Sequence, residues 1–203
     1  MRIVLATGNQ GKVKELREIL NDFRIEVLSL KEFPQIGEIV EDGETFAENA
    51  IKKATTVSYY TKLIALADDS GLEVDYLDGA PGIYSARFAG EGKSDLDNNL
   101  KLLSLLTGVP EAQRTARFRC VIAISSPCGE TYTAEGACEG IVGYEMKGNS
   151  GFGYDPLFFL PEFNQTFAQL DPAVKNKISH RGRALAKAKN VLADLLEKVG
   201  KDR

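Results

Sequence analysis

The sequence predicts a single α/β domain, residues 1–203, built on a mixed sheet. Two patterns carry that reading. Early in the chain, strand-like stretches at residues 3–6, 25–30 and 63–67 alternate with segments of helical period, as when strands are joined by helices. Later, Ala116, Phe118, Cys120 and Ile122 alternate up to a Pro127-Cys128-Gly129 turn, and residues 131–142 supply an antiparallel partner. Size and composition agree: the 203 residues are 43% hydrophobic and 27% charged, the balance of a globular protein. A chain of that length buries about 70% of the surface its unfolded form exposes, so it needs no staples.

The elements follow in order. Residues 3–6 form a buried strand, broken by Thr7-Gly8-Asn9-Gln10-Gly11, and a helix follows with Val13, Leu16, Ile19 and Leu20 on one stripe. Residues 25–30 form the next strand. Thr45 with Glu48 three residues on has the capping-box form, and Phe46, Ala50, Ala54 and Val57 recur at helical spacing behind it. Residues 63–67 form a buried strand that stops at Asp68-Asp69-Ser70-Gly71, after which Leu72, Val74 and Tyr76 alternate as a separate half-buried strand. Ser94 opens a helix with Leu96, Leu100, Leu103 and Leu106 as its stripe, ending at Gly108 before Pro110. Gly148, Gly151 and Gly153 mark a loop. From His180 a final helix carries Leu185, Ala188, Leu192, Leu195 and Val199.

Composition excludes several chemistries. His180 is the one histidine, which argues against the usual zinc sites and against any mechanism needing two imidazoles. Three cysteines without CxxC spacing fit reduced thiols and a cytoplasmic location. The run at residues 63–67 is too short to span a bilayer, and the apolar start of the chain is too short for a signal peptide. The net charge of −4 conceals segregation. Glu38, Glu41, Asp42, Glu44 and Glu48 fall in a stretch without bases, whereas Lys175, Lys177, Arg181, Arg183, Lys187 and Lys189 fall in one without acids. Such runs are solvated faces, or a metal side and an anion side of one site.

Five segments carry chemistry. Strand–Thr7-Gly8-Asn9-Gln10-Gly11-Lys12–helix offers backbone amides and a lysine to an anion, though Val13 after the lysine rules out a Walker A loop. Asp68 and Asp69 directly follow five apolar residues, and if strand geometry persists one carboxylate faces a ligand while the other turns to support. Glu41 is a candidate metal ligand, and Glu48 is explained by its cap. Phe152 and Tyr154, on the frame of Gly151 and Gly153, either stack on a base or belong to the core, and Asp155 has the chemistry to accept from a base edge. The fifth segment holds Lys175, Ser179, His180 and Arg181.

Taken in order, these segments closely resemble the inosine triphosphate pyrophosphatase family in its bacterial form. The matching pieces are Thr7-Gly8-Asn9-Gln10-Gly11-Lys12, Glu41-Asp42-Gly43-Glu44-Thr45-Phe46 with Glu48-Asn49-Ala50, and Ala67-Asp68-Asp69-Ser70-Gly71-Leu72. They continue with Gly79-Ala80-Pro81-Gly82-Ile83-Tyr84-Ser85-Ala86-Arg87, Gly151-Phe152-Gly153-Tyr154-Asp155-Pro156 and Ile178-Ser179-His180-Arg181-Gly182. Each is ordinary alone; the ordered set is specific.

The resemblance implies a long mixed sheet with flanking helices, two lobes around a central cleft, and a homodimer. It implies Mg2+-dependent hydrolysis of inosine, deoxyinosine and xanthosine triphosphates to monophosphate and pyrophosphate, cleansing the nucleotide pool. It assigns Asp69 as proton acceptor, Glu41 and Asp69 to metal, and Thr7, Gly8, Asn9, Gln10, Gly11 and Lys12 to the triphosphate. Ser70 contacts substrate, while Phe152, Gly153, Tyr154, Asp155, Lys175, His180 and Arg181 frame the base and its sugar–phosphate. A buried donor from the His180-Arg181 segment would bond the six-keto oxygen of inosine or xanthosine and face an unpaired donor in adenosine. The alternatives are another magnesium phosphohydrolase acting on modified nucleotides, or a nucleic-acid binder using the basic run. The acidic net charge and the lack of a recognisable binding motif argue against nucleic acid.

Overall fold

A computed structural model describes residues 2–21 and 25–201, with side chains through residue 195. Val199, expected on the last helix's apolar stripe, therefore lies outside the described side chains. The strands are β1 (Arg2–Leu5), β2 (Glu26–Ser29), β3 (Ile64–Val74), β4 (Thr115–Ser125), β5 (Thr131–Val142), β6 (Phe158–Leu160) and β7 (Gln165–Thr166). The α-helices are α1 (Gln10–Leu20), α2 (Phe46–Thr61), α3 (Asp95–Leu105), α4 (Pro172–Ile178) and α5 (His180–Lys201).

One sheet runs β2-β1-β3-β4-β5-β6-β7. β1 pairs parallel with β2 and β3, whereas β5–β6 and β6–β7 are antiparallel, so the sheet is mixed as the pattern predicts. The hairpin is pinned at both ends, by Ser126 N–H donating to Glu130 O at 2.8 Å and Val142 N–H donating to Arg114 O at 2.9 Å.

The described chain divides into two compact units. The first holds Met1–Asp69, Cys120–Gly136 and Arg181–Arg203; the second holds Ser70–Arg119 and Ala137–His180. Each has its own apolar core. In the first, Ile3 and Leu5 of β1, Val13, Leu16 and Leu20 of α1, and Leu185, Ala188, Leu192 and Leu195 of α5 pack together. In the second, Leu72, Leu102, Phe118, Phe158 and Phe167 do so, with Phe118 stacked 5.7 Å from Phe167.

Three expectations need correction. The strand does not stop at Asp68: β3 continues unbroken from Ile64 to Val74. The charges do not end it because lysines and an arginine meet both carboxylates, and Gly71 lets the next segment close in. A Cβ there would lie 2.2 Å from Gly82 O, and Leu72 N–H donates to Ser85 Oγ at 2.9 Å. Tyr76 then falls in a 3₁₀ turn and is exposed. On α3 the buried face carries Asn98, Asn99 and Leu102, while Leu96 and Leu100 are exposed. Leucines occupy both sides of that helix, so period alone does not choose the face; the asparagine amides are drawn inward by backbone groups they satisfy. Finally, Thr45 caps α2 through Glu48 N–H, but the Glu48 carboxylate turns to Glu44 N–H at 2.7 Å instead of completing the box.

Candidate active site

The turn between β1 and α1 is organised by its own side chains. Asn9 caps α1 by accepting from Lys12 N–H at 3.1 Å, and Thr7 Oγ1 accepts from Asn9 N–H at 3.2 Å. The amides of Gln10 and Gly11 have no acceptor within the helix, and no acid stands in its first turn. Gly8 has ordinary φ, and a Cβ there would meet nothing within 4 Å, so packing does not demand glycine. An open backbone at a helix head fits an anion.

Two opposed sets of charges meet at β3, because consecutive residues of a strand point to opposite faces. Asp68, fully buried, accepts from Arg181 Nε and Nη2 at 3.2 and 3.1 Å and pairs with Lys12 Nζ at 3.1 Å. Arg181 also binds Glu15 of α1. Burial alone would raise the Asp68 pKa; the Lys12 and Arg181 charges overcome it and hold the carboxyl well below the usual range. Asp68 is thus the permanent anion that keeps Lys12 and Arg181 in place.

Asp69 faces α2. Lys53 Nζ donates to Asp69 Oδ1 at 3.1 Å, to Glu41 Oε1 at 2.9 Å and to Asp68 O at 2.8 Å. Asn49 donates to Asp69 Oδ2 at 3.3 Å and accepts from Gly43 N–H at 2.8 Å, tying the Glu41 segment to the strand. Burial pushes the Asp69 pKa above its ordinary value and the Glu41 charge adds to the rise; Lys53 pulls Glu41 below its own, against burial. Two carboxylates pushed apart in proton affinity by their surroundings are the kind of pair from which a base is drawn.

Sequence reasoning missed Lys53, gave Asn49 no role beyond its place in a matching motif, and left Asp68 unassigned. The signal was present: Lys53 lies on the stripe of Phe46, Ala50, Ala54 and Val57, where a charge is costly unless paired. As for metal, Glu41 and Asp69 already bracket one cation, the Lys53 ammonium, so the donor pair suits Mg2+. No cluster of three or more metal-ligating side chains occurs among the described residues. Magnesium needs none, since it keeps waters and takes phosphate oxygens.

The second unit holds the other candidates. Gly151, Phe152 and Gly153 form a loop clipped by Asp155, which is buried and accepts from Phe152 N–H at 2.9 Å and from Lys175 Nζ at 2.6 Å. A Cβ at Gly151 would lie 2.0 Å from Asp155 Oδ2, and φ there is +80°. Lys175 stands 5.3 Å from the half-buried Phe152 ring, the cation facing the π system. Tyr154 is core, with its hydroxyl donating to Ser85 O at 2.8 Å. His180 is buried and stacks 4.6 Å from Phe118. Ser70 is half-buried on β3 and Lys177 exposed on α4. Of the two loop aromatics, Phe152 therefore keeps a partly open ring. Cys120, buried with its pKa pushed up to about 12 by that burial, is no nucleophile.

Sheet and site together define a mixed α/β enzyme with a buried, internally neutralised charge network on its central strand. The chain belongs to the Ham1 family, whose model matches residues 3–191. It is 63% identical over 192 residues to a dITP/XTP pyrophosphatase of Desulforamulus reducens, covering 95% of this chain and 96% of that one. It is 51% identical to the dITP/XTP pyrophosphatase of Listeria innocua, covering 98% of both. Among solved structures, a HAM1 protein from Coxiella burnetii superposes with a TM-score of 0.85 at 42% identity, over 96% of this chain and 99% of that one. The nucleoside-triphosphatase / dITP/XTP pyrophosphatase of Mycobacterium abscessus does so at 0.74 and 40%, over 92% and 98%.

Proposed function

We propose that this protein hydrolyses the triphosphates of inosine, deoxyinosine and xanthosine to monophosphate and pyrophosphate with Mg2+, acting in the cytoplasm as a homodimer. One observation carries the chemistry: Asp69, a buried carboxylate of raised pKa, shares Lys53 with Glu41. The activity itself is supported by the names of relatives sharing half or more of their residues over nearly the full chain.

The residues divide the work by their chemistry. A triphosphate brings about four negative charges, which repel an incoming nucleophile until neutralised. The Gln10 and Gly11 amides and the Lys12 ammonium supply donors to phosphate oxygens that need no reorganisation. Asp68 keeps Lys12 aimed. Asp69 takes the proton from the attacking water, and Lys53 holds Asp69 and Glu41 apart and oriented. Bound Mg2+ would be held by Glu41 and Asp69 and would supply charge neutralisation on the phosphates. Phe152 offers a face to the base, backed by Lys175 and Asp155.

Supports for the remaining parts are more general. No helix among the described residues is long and apolar enough to cross a membrane, and all three cysteines are free thiols. Leu96 and Leu100, one turn apart on α3, are exposed and suit burial against a second copy. The test is a product assay over a panel of nucleoside triphosphates, with magnesium and with chelator. Inosine and xanthosine triphosphates should yield pyrophosphate and ATP far less. Release of orthophosphate, equal turnover of ATP, or full activity in chelator overturns the proposal.

A further inference from the structure

The buried face of α3 carries asparagines where apolar side chains would pack better. Asn98 accepts from Ala89 N–H at 2.7 Å and donates to Ala86 O at 3.2 Å. Asn99 donates through Nδ2 to Gly153 O and to Asp95 O, both at 2.8 Å. Asp95 Oδ2 in turn accepts from Gly153 N–H at 2.7 Å. Gly153 is therefore gripped at its amide and its carbonyl by two residues one helical turn apart.

Two features show that this grip is not incidental packing. Asn99 is 2% exposed and its Oδ1 has no partner among the described residues, an acceptor whose burial costs stability. A position that only filled the core would not carry that cost. Gly153 also has φ of +60°, a conformation glycine adopts freely, so the loop's path there depends on outside contacts rather than on its own backbone preference. Asp155 clips the loop from within, by way of Phe152 N–H. Among the described residues, the hydrogen bonds on Gly153 itself come from α3.

We infer that Asp95 and Asn99 are positioning residues that set where the Phe152 ring stands, and so control affinity and selectivity for the purine without touching substrate. The inference rests on the proposed function, which gives Phe152 the base. Its consequence is a split: losing the grip weakens binding of the base and leaves proton transfer at Asp69 alone.

Asp95 is exposed, so it can be changed without opening the core. Asp95→Ala removes the acceptor for Gly153 N–H; Asp95→Asn keeps an oxygen there. Both lose the same favourable charge at the head of α3, so what differs between them is the bond to Gly153 N–H. Asp95→Ala should raise KM for inosine triphosphate about tenfold, the worth of one such bond, with kcat within about twofold of wild type. Its kcat/KM ratio of inosine triphosphate to ATP should fall with it. Asp95→Asn should recover most of both, and amide hydrogen exchange at Gly153 should be fast in the first variant and slow in the second. Unchanged KM in Asp95→Ala, a kcat loss matching the KM change, or no recovery in Asp95→Asn overturns the inference alone. Wild-type protein that does not cleave inosine triphosphate overturns the functional reading, and this one with it.

Discussion

Changing Asp68 and Asp69 one at a time to asparagine should separate stability from catalysis. Asp68 is fully buried and neutralises Arg181 through two bonds and Lys12 through one. Removing one partner of a buried ion pair costs about 3–5 kcal/mol, because the remaining charge stays desolvated. Here Arg181 keeps Glu15, and the Lys12 side chain is 13% exposed and has a route to solvent, which places the loss near the lower end. At about 2–4 °C per kcal/mol for a chain of this size, Asp68→Asn should lower Tm by roughly 6–12 °C. Asp69→Asn keeps the shape and a hydrogen-bonding arm, while Lys53 retains Glu41 and Asp68 O. It should stay within about 1 kcal/mol of wild type in stability but lose about 10²–10⁴-fold in kcat, the worth of a general base. The assay is kcat at saturating magnesium and inosine triphosphate, paired with thermal melts. If Asp69→Asn keeps near-wild-type kcat, or if Asp68→Asn melts with wild type, the division of roles between the two faces of β3 is wrong.

Three further outcomes are expected. Lys12→Ala should raise KM for the triphosphate, with a loss of about 1.5–3 kcal/mol in kcat/KM for one charge-assisted contact; unchanged kcat/KM would place Lys12 outside the site. Gly71→Ala drives a Cβ to 2.2 Å from Gly82 O and should cost about 1–3 kcal/mol of overpacking, read as a lower Tm, with an unshifted melt counting against the tight approach. In pH, the depressed Asp68 pKa contributes stability that is present above the ordinary value of 3.8 and lost as pH falls below it, so wild type and Asp68→Asn should converge in acid.

Much of this protein is legible in its residue order. Local rules reach as far as local causes: the period-two and helical patterns place β1, α1, α2, β4 and β5, and Thr45, Ser94 and Asn9 cap the helices that follow them. Asp68 and Asp69 stand out locally because charges abut an apolar run, whereas Glu41 and the turn ending at Lys12 draw their roles from the resemblance of the ordered motifs. What only the tertiary structure decided depends on partners distant in the chain. β3 runs through two aspartates because Lys12, Lys53 and Arg181, up to 113 residues away, neutralise them. α3 turns Asn98 and Asn99 inward and leaves Leu96 and Leu100 outward because Gly153 and the segment at Ala86 and Ala89 have backbone groups to satisfy, which no helical period encodes. Lys53 stands on the apolar stripe of α2, but only the fold shows that Glu41 and Asp69 are the partners it meets there. The electrostatic and hydrogen-bonding energy that settles these choices falls steeply with separation in space and is blind to separation in sequence, so it is written only in the folded chain.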